Sequence, residues 1–382
     1  MKIKFVPSDS GACSFYRILT PAIGLKTNTD IDVDLMTNLG DKSLKENDED
    51  ICVIQRQYLP EAFEILLEKR SKGIKVVCEL DDNFWNMPKE LSSAKFYDQK
   101  TINEETIKAR AEGKIKEDQE LINTRKWLTE FIRMCDAVTT TTYPLANVIK
   151  QYNKNVYVVN NYIPDSFLFR RVQPVKHNPD YPTRIMWTGS VQHGQDLYVV
   201  FDALKNISKK FNIKLIMFCD NGYLDEDLAK KVQLEYHQPI DPVISYYYYL
   251  QHIPAHIGLA PLIDNTFNKS KSWVKALEYG TVGICPLVQK LHPYSDLAYE
   301  IGKKNVPMVE KNTVTSWEKS LTYLLENPDY VYETATNFQN LVYEKYLISK
   351  NTGKYIEIFN RILDQKPNYY RPKTLITRTP PV

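Results

Sequence analysis

The segment Lys271-Ser272-Trp273-Val274-Lys275-Ala276-Leu277-Glu278-Tyr279 gathers side chains able to grip a phosphorylated ligand. An apolar run over 257–262 reads as a buried strand, a polar loop follows, and the pattern predicts a helix over 273–279. Lys271 and Ser272 then fall at the helix N-terminus, where a cation and oriented N–H groups hold phosphate oxygens. Lys275 lies one turn further on. Glu278 lies two turns after Lys271 on the same side, where a carboxylate can accept paired hydrogen bonds from a ribose diol. The plainer reading is a surface helix with Lys275 and Glu278 as an i,i+3 pair.

Two further turns join strands to helices through small residues, Ser10-Gly11-Ala12-Cys13-Ser14 and Thr188-Gly189-Ser190. Such turns present amide groups to anions, although neither fits G-x-G-x-x-G or the Walker pattern and both are also ordinary turn chemistry. Asp81 and Asp82 end a buried strand, where a carboxylate can position or deprotonate a hydroxyl; capping the next turn is their plain alternative. The histidines are scattered. The one H-x-x-x-H pair, His252 and His256, flanks Pro254, which argues against a helical zinc face. The run Tyr246–Tyr249 reads as helix packing and rim.

The elements that must position these groups alternate. Strands are expected at 2–6, 31–36, 50–55, 74–80, 135–142 and 156–160, with helices over 15–25, kinked or started at Pro21, and over 61–71, ending before Gly73. A second series places strands at 184–187, 214–219, 232–236, 257–262 and 283–288, with helices over 196–211, 224–231, 243–250, 273–279, 315–326 and 329–363. Strands alternating with helices imply βαβ units and parallel sheets. The expected division is a Rossmann-like domain over 1–165 with a helical insertion at about 89–133, a Pro-rich linker over 166–183, and a second α/β domain over 184–345. A helix over 346–364 packs back on the first domain, and a basic tail spans 365–382.

A length of 382 residues suits two or three domains and needs no disulfide or metal to fold. The six cysteines form no C-x-x-C pair, and no window approaches a membrane span. With no secretory leader at the N-terminus, the expected location is the cytoplasm, that of the host if the gene is a phage's. The net charge of +2 excludes a uniformly basic protein. It is unevenly spread: residues 1–165 sum to −3, while Lys366, Arg371, Lys373 and Arg378 put +4 in the tail.

With these residues in place, the chain resembles nucleotide-sugar glycosyltransferases of the GT-B fold, nearest the large retaining family four (glycosyl transferases group 1). The family's Gly-Ser-x-x-His-x-x-Asp-Leu turn is matched by Gly189-Ser190-Val191-Gln192-His193-Gly194-Gln195-Asp196-Leu197, and its Lys-Ser-x-x-Lys-x-x-Glu-Tyr helix by residues 271–279. Glu79-Leu80-Asp81-Asp82-Asn83-Phe84-Trp85, and Gly11 with Tyr16-Arg17, resemble motifs of the N-terminal domain. The texture is similar to that of tailed-phage members, including DNA-modifying ones. Two departures stand out. Ser270 occupies the first acidic position of the family's Glu-x7-Glu motif, and the usual Arg and Lys pair after the first strand of the second domain is absent, with His193 the nearest substitute.

The resemblance implies two doubly wound α/β domains facing across a cleft. The donor's diphosphate would lie on Gly189, Ser190, Lys271 and Ser272, with Lys275 and His193 nearby. Glu278 would hold the ribose, and the base would sit by Tyr236 and His237. The acceptor would lie by Gly11, Ser14, Tyr16, Arg17, Asp81 and Asp82. Asp81, Asp82 and Lys271 are the catalytic candidates. A UDP-sugar is the favoured donor and a GDP-sugar the alternative, with no metal and no further cofactor. The acceptor classes left open are a glycan, a small molecule and hydroxymethylated DNA, the last motivated by the tail, Arg170, Arg171 and Lys176. The competing reading is a GT-B-like binding protein that has lost catalysis. Oligomeric state is not legible in the sequence.

Overall fold

The computed structural model describes residues 1–91, 94, 96–97, 124–189, 194–219, 226–240 and 242–370. Chain packing divides them into two compact units. One holds Met1–Asp9, Ile31–Val159 and the described residues from Ile356 onward; the other holds Ser10–Asp30 and Asn160–Tyr355.

The first unit is built on a six-stranded parallel sheet. Its strands are β1 (Lys2–Val6), β2 (Asp32–Leu35), β3 (Ile51–Gln55), β4 (Lys75–Leu80), β5 (Ala137–Thr140) and β6 (Val156–Val158), in the order β2-β1-β3-β4-β5-β6. β3 and β4 are buried along their whole length. This is why their centres read as unbroken apolar runs rather than as alternation: a parallel strand between two layers of helices is covered on both faces.

The second unit repeats the plan with β7 (Thr183–Thr188), β8 (Ile213–Phe218), β9 (Gln233–His237), β10 (Ile257–Ala260), β11 (Cys285–Gln289) and β12 (Met308–Val309), all parallel in the order β12-β11-β10-β7-β8-β9. Each sheet is the α/β doubly wound arrangement that the alternating pattern predicts. β12 is two residues long, too short to leave a pattern. In each sheet the strand order reverses at the first strand. Those switch points, β1 beside β3 and β7 beside β10, are where open α/β sheets leave a crevice at their carboxyl ends.

The packing departs from the expected division at residues 160–165 and 346–355, which group with the second unit, and above all near the start of the chain. Ser10–Asp30 follows β1 in sequence yet groups with Asn160–Tyr355. Gly24 shows the reason: a Cβ there would meet Ile348 Cγ1 at 2.4 Å, so only glycine allows this contact. The Phe15 ring lies 5.5 Å from that of Phe167 and 5.7 Å from that of Tyr247. The helical path is α1 (Ala12–Ser14), a π-helical turn (Phe15–Leu19) and α2 (Thr20–Asn28). Pro21 has no N–H to give and crowds the preceding turn, and the wider π turn ahead of it absorbs that strain.

The expected closing helix over 329–363 is broken. Pro328–Lys345 ends before a 3₁₀ turn (Ile348–Lys350), and Thr352–Leu363 resumes. The side chain of Asn351 donates to the carbonyls of Lys345 and Leu347, both at 2.8 Å, and so stabilises the break. The Phe359 ring meets Phe5 at 6.2 Å within the first unit. Of the insertion expected at 89–133, the helix Thr124–Met134 is described and most of the remainder lies outside the described residues. The same holds for the tail from Arg371 onward, whereas the Asn368 N–H donates to Asp136 at 2.8 Å. Among the described residues, no helix is long and apolar enough to cross a membrane. Five of the six cysteines are buried, and none forms a disulfide.

One charged cluster is built into the first unit. Lys4, in the middle of β1, has a fully buried side chain. Its Nζ lies 2.5 Å from Asp48 and 3.4 Å from Glu49, and Glu49, itself buried, lies 2.6 Å from Lys69 Nζ. Removing Glu49 strands Lys69 in the interior. Glu49→Ala should lower the unfolding free energy by about 3–5 kcal/mol, the cost of breaking a buried ion pair from one side. Urea denaturation reads this directly, with the exposed Glu64→Ala as a control that should stay within about 0.5 kcal/mol.

Candidate functional site

In the second unit the switch point brings the end of β7 beside the end of β10. β7 ends at Thr188 and the chain passes on to Gly189. Beyond β10 it passes through a loop to α9 (Thr266–Lys269) and α10 (Val274–Thr281). (The helices between α2 and α9 are α3 Pro60–Ser71, α4 Thr124–Met134, α5 Tyr143–Ile149, α6 Gly194–Ile207, α7 Glu226–Lys231 and α8 Val243–Leu250.) A buried carboxylate fixes that loop. Asp196, in the first turn of α6, accepts from the Ile263 N–H at 2.7 Å and from Asn268 Nδ2 at 3.1 Å. Asn265 caps α9 by accepting from the Asn268 N–H at 2.7 Å.

α10 is stapled to the sheet by its own side chains. Gly258 in β10 makes room for Tyr279, whose ring a Cβ there would meet at 2.5 Å. The Tyr279 hydroxyl donates to the Leu259 carbonyl at 2.9 Å and accepts from the Thr188 N–H at 3.3 Å. Lys275 Nζ donates to the Thr188 carbonyl and lies 3.3 Å from Thr188 Oγ1. It also lies 5.9 Å from the centre of the Trp187 ring. Gly189 packs so closely on that ring that a Cβ would come within 2.4 Å.

Glu278 is buried, with two tyrosine hydroxyls on its carboxylate. Tyr16 donates to Oε1, and Tyr246 donates to Oε2 at 3.4 Å. Tyr16 and Tyr247 share a further hydrogen bond at 2.7 Å. Burial pushes the Glu278 carboxyl above its ordinary range, while Lys275, Tyr16 and Tyr246 pull it back. Burial also lowers the proton affinity of Lys275, with Lys271 adding to that effect and Glu278 and Asp196 opposing it. Burial, followed by the charge of Glu278, pushes the hydroxyls of Tyr16, Tyr246 and Tyr247 upward, so all three stay protonated.

The other expected donor residues divide. Lys271 Nζ lies 4.7 Å over the Phe267 ring and close enough to act on Lys275, and it leads the amino end of α10. Ser272 Oγ accepts from Asn161 Nδ2 at 2.9 Å, and Arg17 Nη1 donates to Asn161 Oδ1 at 2.8 Å. His237 stacks on Phe218 at 4.6 Å, and Phe218 meets Tyr246 edge-on at 6.1 Å. Tyr236 points the other way. Its ring packs on the hydrophobic core, and its hydroxyl donates to the Cys219 carbonyl at 2.6 Å. Ser190 and His193 lie outside the described residues.

Of the expected acceptor residues, Tyr16 and Arg17 therefore join the Glu278 and Ser272 cluster of the second unit. Ser14 is buried nearby in sequence, and Gly11 caps α1 from the surface. Asp81 and Asp82 follow β4 in the first unit, where Arg56 Nη1 lies 3.6 Å from Asp81 Oδ1. Among the described residues, no group of three or more His, Cys, Asp or Glu side chains is arranged to hold a metal ion.

Sequence reading missed Tyr246 as a partner of Glu278 and Tyr247 as a partner of Tyr16. The available signal was the tyrosine run on one helix, where two successive residues turn inward while Tyr248 and Tyr249 stay exposed. Asn161 and Arg56 left no signal, because each acquires its role from partners far away in the chain.

No family model matches the chain, and no curated protein matches it. Solved structures do. HepE from Anabaena, in complex with UDP-glucose, superposes with a TM-score of 0.59 at 9% identity, covering 94% of this chain and 99% of its own. A glycosyltransferase from Rickettsia africae gives a TM-score of 0.58 at 13% identity, covering 96% and 99%. TarM of S. aureus gives 0.55 at 12% identity over 83% of this chain. The chain has the GT-B fold. At these identities the likeness is one of fold, and the chain spans 57% of the length of TarM. Within a GT-B fold, the Glu278 cluster occupies the carboxyl edge of the second sheet.

The raised Glu278 carboxyl carries a testable signature. An unfolded chain ionises this group at the ordinary value near 4.5, whereas the folded chain holds its proton to higher pH. Its contribution to stability is therefore fully present below about pH 4.5 and is lost as pH rises through the folded pKa. Glu278→Gln should flatten that decline, so that the melting temperature of the variant minus that of the wild type grows from pH 4.5 toward neutral. A difference that stays constant across this window would contradict the assignment.

Proposed function

We propose that the protein is a glycosyltransferase that moves a sugar from a nucleotide-diphosphate sugar, a UDP-sugar in the first instance, to an acceptor hydroxyl. One observation carries the reading: on a GT-B fold, Lys271, Lys275 and Glu278 converge at the second switch point beside Gly189. The solved structure of HepE binds UDP-glucose.

The roles follow from charge. The diphosphate lies on Gly189, Ser190, Ser272 and the amino end of α10, with Lys271 as its cation. As the bond to the sugar breaks, negative charge grows on the leaving diphosphate, and a fixed ammonium with oriented N–H dipoles favours that charge more than the ground state. Lys275 anchors the β7 turn that presents Gly189. Glu278 accepts the ribose hydroxyls. Its two tyrosine donors use about two of the roughly four lone-pair directions of a carboxylate and aim the others. His237, stacked on Phe218, borders the base. His193 keeps the role that the resemblance gives it. Asp81 and Asp82 serve the acceptor, and transfer proceeds with retention, in line with the resemblance to the retaining family.

Hydroxymethylated DNA has less support as the acceptor. Arg170 donates to the Gln251 carbonyl at 3.0 Å, Arg171 lies 4.7 Å over the Tyr343 ring, and Lys176 lies 5.1 Å over the Tyr332 ring. All three cations are engaged within their own unit.

A thermal-shift panel of UDP- and GDP-sugars tests the donor. A ligand present at 100 times its Kd should add about 2.7 kcal/mol to stability. Lys271→Ala and Glu278→Ala should each weaken binding by roughly 10- to 100-fold. Slow donor hydrolysis without acceptor, lost in Lys271→Ala, separates an enzyme from an inactive binding protein. If no nucleotide sugar shifts the melting temperature, the reading falls.

A further inference from the structure

The hydroxyl of Ser272 is reached by a polar chain that begins on a residue far away in sequence. Arg17 Nη1 donates to Asn161 Oδ1 at 2.8 Å, and Asn161 Nδ2 donates to Ser272 Oγ at 2.9 Å. All three residues belong to the second unit. Arg17 is 1% exposed and Asn161 6%, so the link between them is shielded from water. Ser272 is half-buried and stands two positions ahead of α10.

This chain has only one polarity. A guanidinium carries N–H donors and no acceptor, so the atom of Asn161 that faces Arg17 is the oxygen. The amide nitrogen then faces Ser272, and an amide nitrogen can only donate. Ser272 therefore commits a lone pair to Asn161 and keeps its own proton. Among the described residues, no side chain or carbonyl accepts that proton. An asparagine free to turn its amide over would present its oxygen and capture the serine proton. The bond to Arg17 prevents that turn.

The preceding residue works in parallel. Tyr16 gives its proton to Glu278, so Tyr247 must be the donor in the 2.7 Å bond between the two tyrosines. Tyr16 and Arg17, consecutive in the π-helical turn, thus each lead to a residue that the nucleotide-sugar reading gives to the donor. We propose that Arg17, acting through Asn161, is a positioning residue of the donor site: it locks Ser272 as a hydrogen-bond donor to an oxygen of the diphosphate. This rests on the nucleotide-sugar reading above, and it moves Arg17 from the acceptor to the donor.

The test titrates the full chain with the nucleoside diphosphate it binds, UDP first and GDP second, and with the matching nucleoside, which lacks phosphate. Asn161→Asp keeps the size of the side chain and an acceptor for Arg17, but offers Ser272 an oxygen that captures its proton. The diphosphate should bind about tenfold or more weaker, the effect of a lost hydrogen bond to a charged group, while nucleoside affinity changes by less than about twofold. Ser272→Ala should cost about as much, and Arg17→Gln, which lets the amide turn, should weaken the diphosphate too. The charge that Asn161→Asp adds also repels phosphate, and the double variant separates the two effects. With Ser272→Ala in place there is no proton to capture, so adding Asn161→Asp should weaken the diphosphate by no more than about threefold further. Arg17 is buried, and if Arg17→Gln does not fold, the Asn161 and Ser272 variants decide. Equal losses for diphosphate and nucleoside, single losses that multiply in the double variant, or a folded Arg17→Gln with unchanged affinity overturn the proposal. A wild-type protein that binds neither diphosphate and no nucleotide sugar overturns the donor reading itself.

Discussion

A carboxylate taken out of water must be compensated, and the second unit is organised around that requirement. Glu278 is buried at the carboxyl edge of its sheet, and burial disfavours its charged form. Two hydroxyls and one ammonium offset the cost. Tyr246 comes from α8, Lys275 from the same helix as Glu278, and Tyr16 from a segment far away in sequence. Lys275 in turn ties the helix to Thr188, and the neighbouring Tyr279 ties it to Thr188 and Leu259. One ionisable group thus links the first strand of the sheet, the helix after β10 and the stretch Ser10–Asp30. Those residues pack with the second unit because their buried aromatic face and Tyr16 find partners there.

Both sheets are six-stranded and parallel with a switch point beside their first strand, and they differ in strand order and in the charge they present there. The second switch point offers Lys271 and Lys275 beside a glycine turn, which suits an anionic diphosphate. The first sets Arg56 between Asp9 and Asp81. The fold supplies the location by leaving a crevice wherever strand order reverses. The side chains at the strand ends decide what enters it.

Most of the architecture was legible in the chain. Apolar runs of strand length alternating with helical periods announce two parallel α/β units, because strands covered on both faces must be apolar throughout. The break near Tyr346 was harder to read, since its stabilising contact, Asn351 onto its own preceding carbonyls, leaves no periodic trace. Within the site, Lys271, Lys275 and Glu278 could be picked out because helical spacing alone puts them on one face. Asp196 stood in a recognisable turn, but its work, holding Ile263 and Asn268, could not be inferred from spacing.

Helical and strand periodicity is local, so the sequence by itself determined the α/β class, the alternation of strands and helices, and the placing of Lys275 and Glu278 on one face of α10. Tertiary structure decided everything that depends on residues distant in the chain. It gave Glu278 the hydroxyl of Tyr16, joined Arg17 to Ser272 through Asn161, turned Tyr236 toward the core, and set Arg56 between Asp9 and Asp81. Which charges meet, and which are buried when they meet, is fixed by packing over long sequence separations, and no local pattern records it.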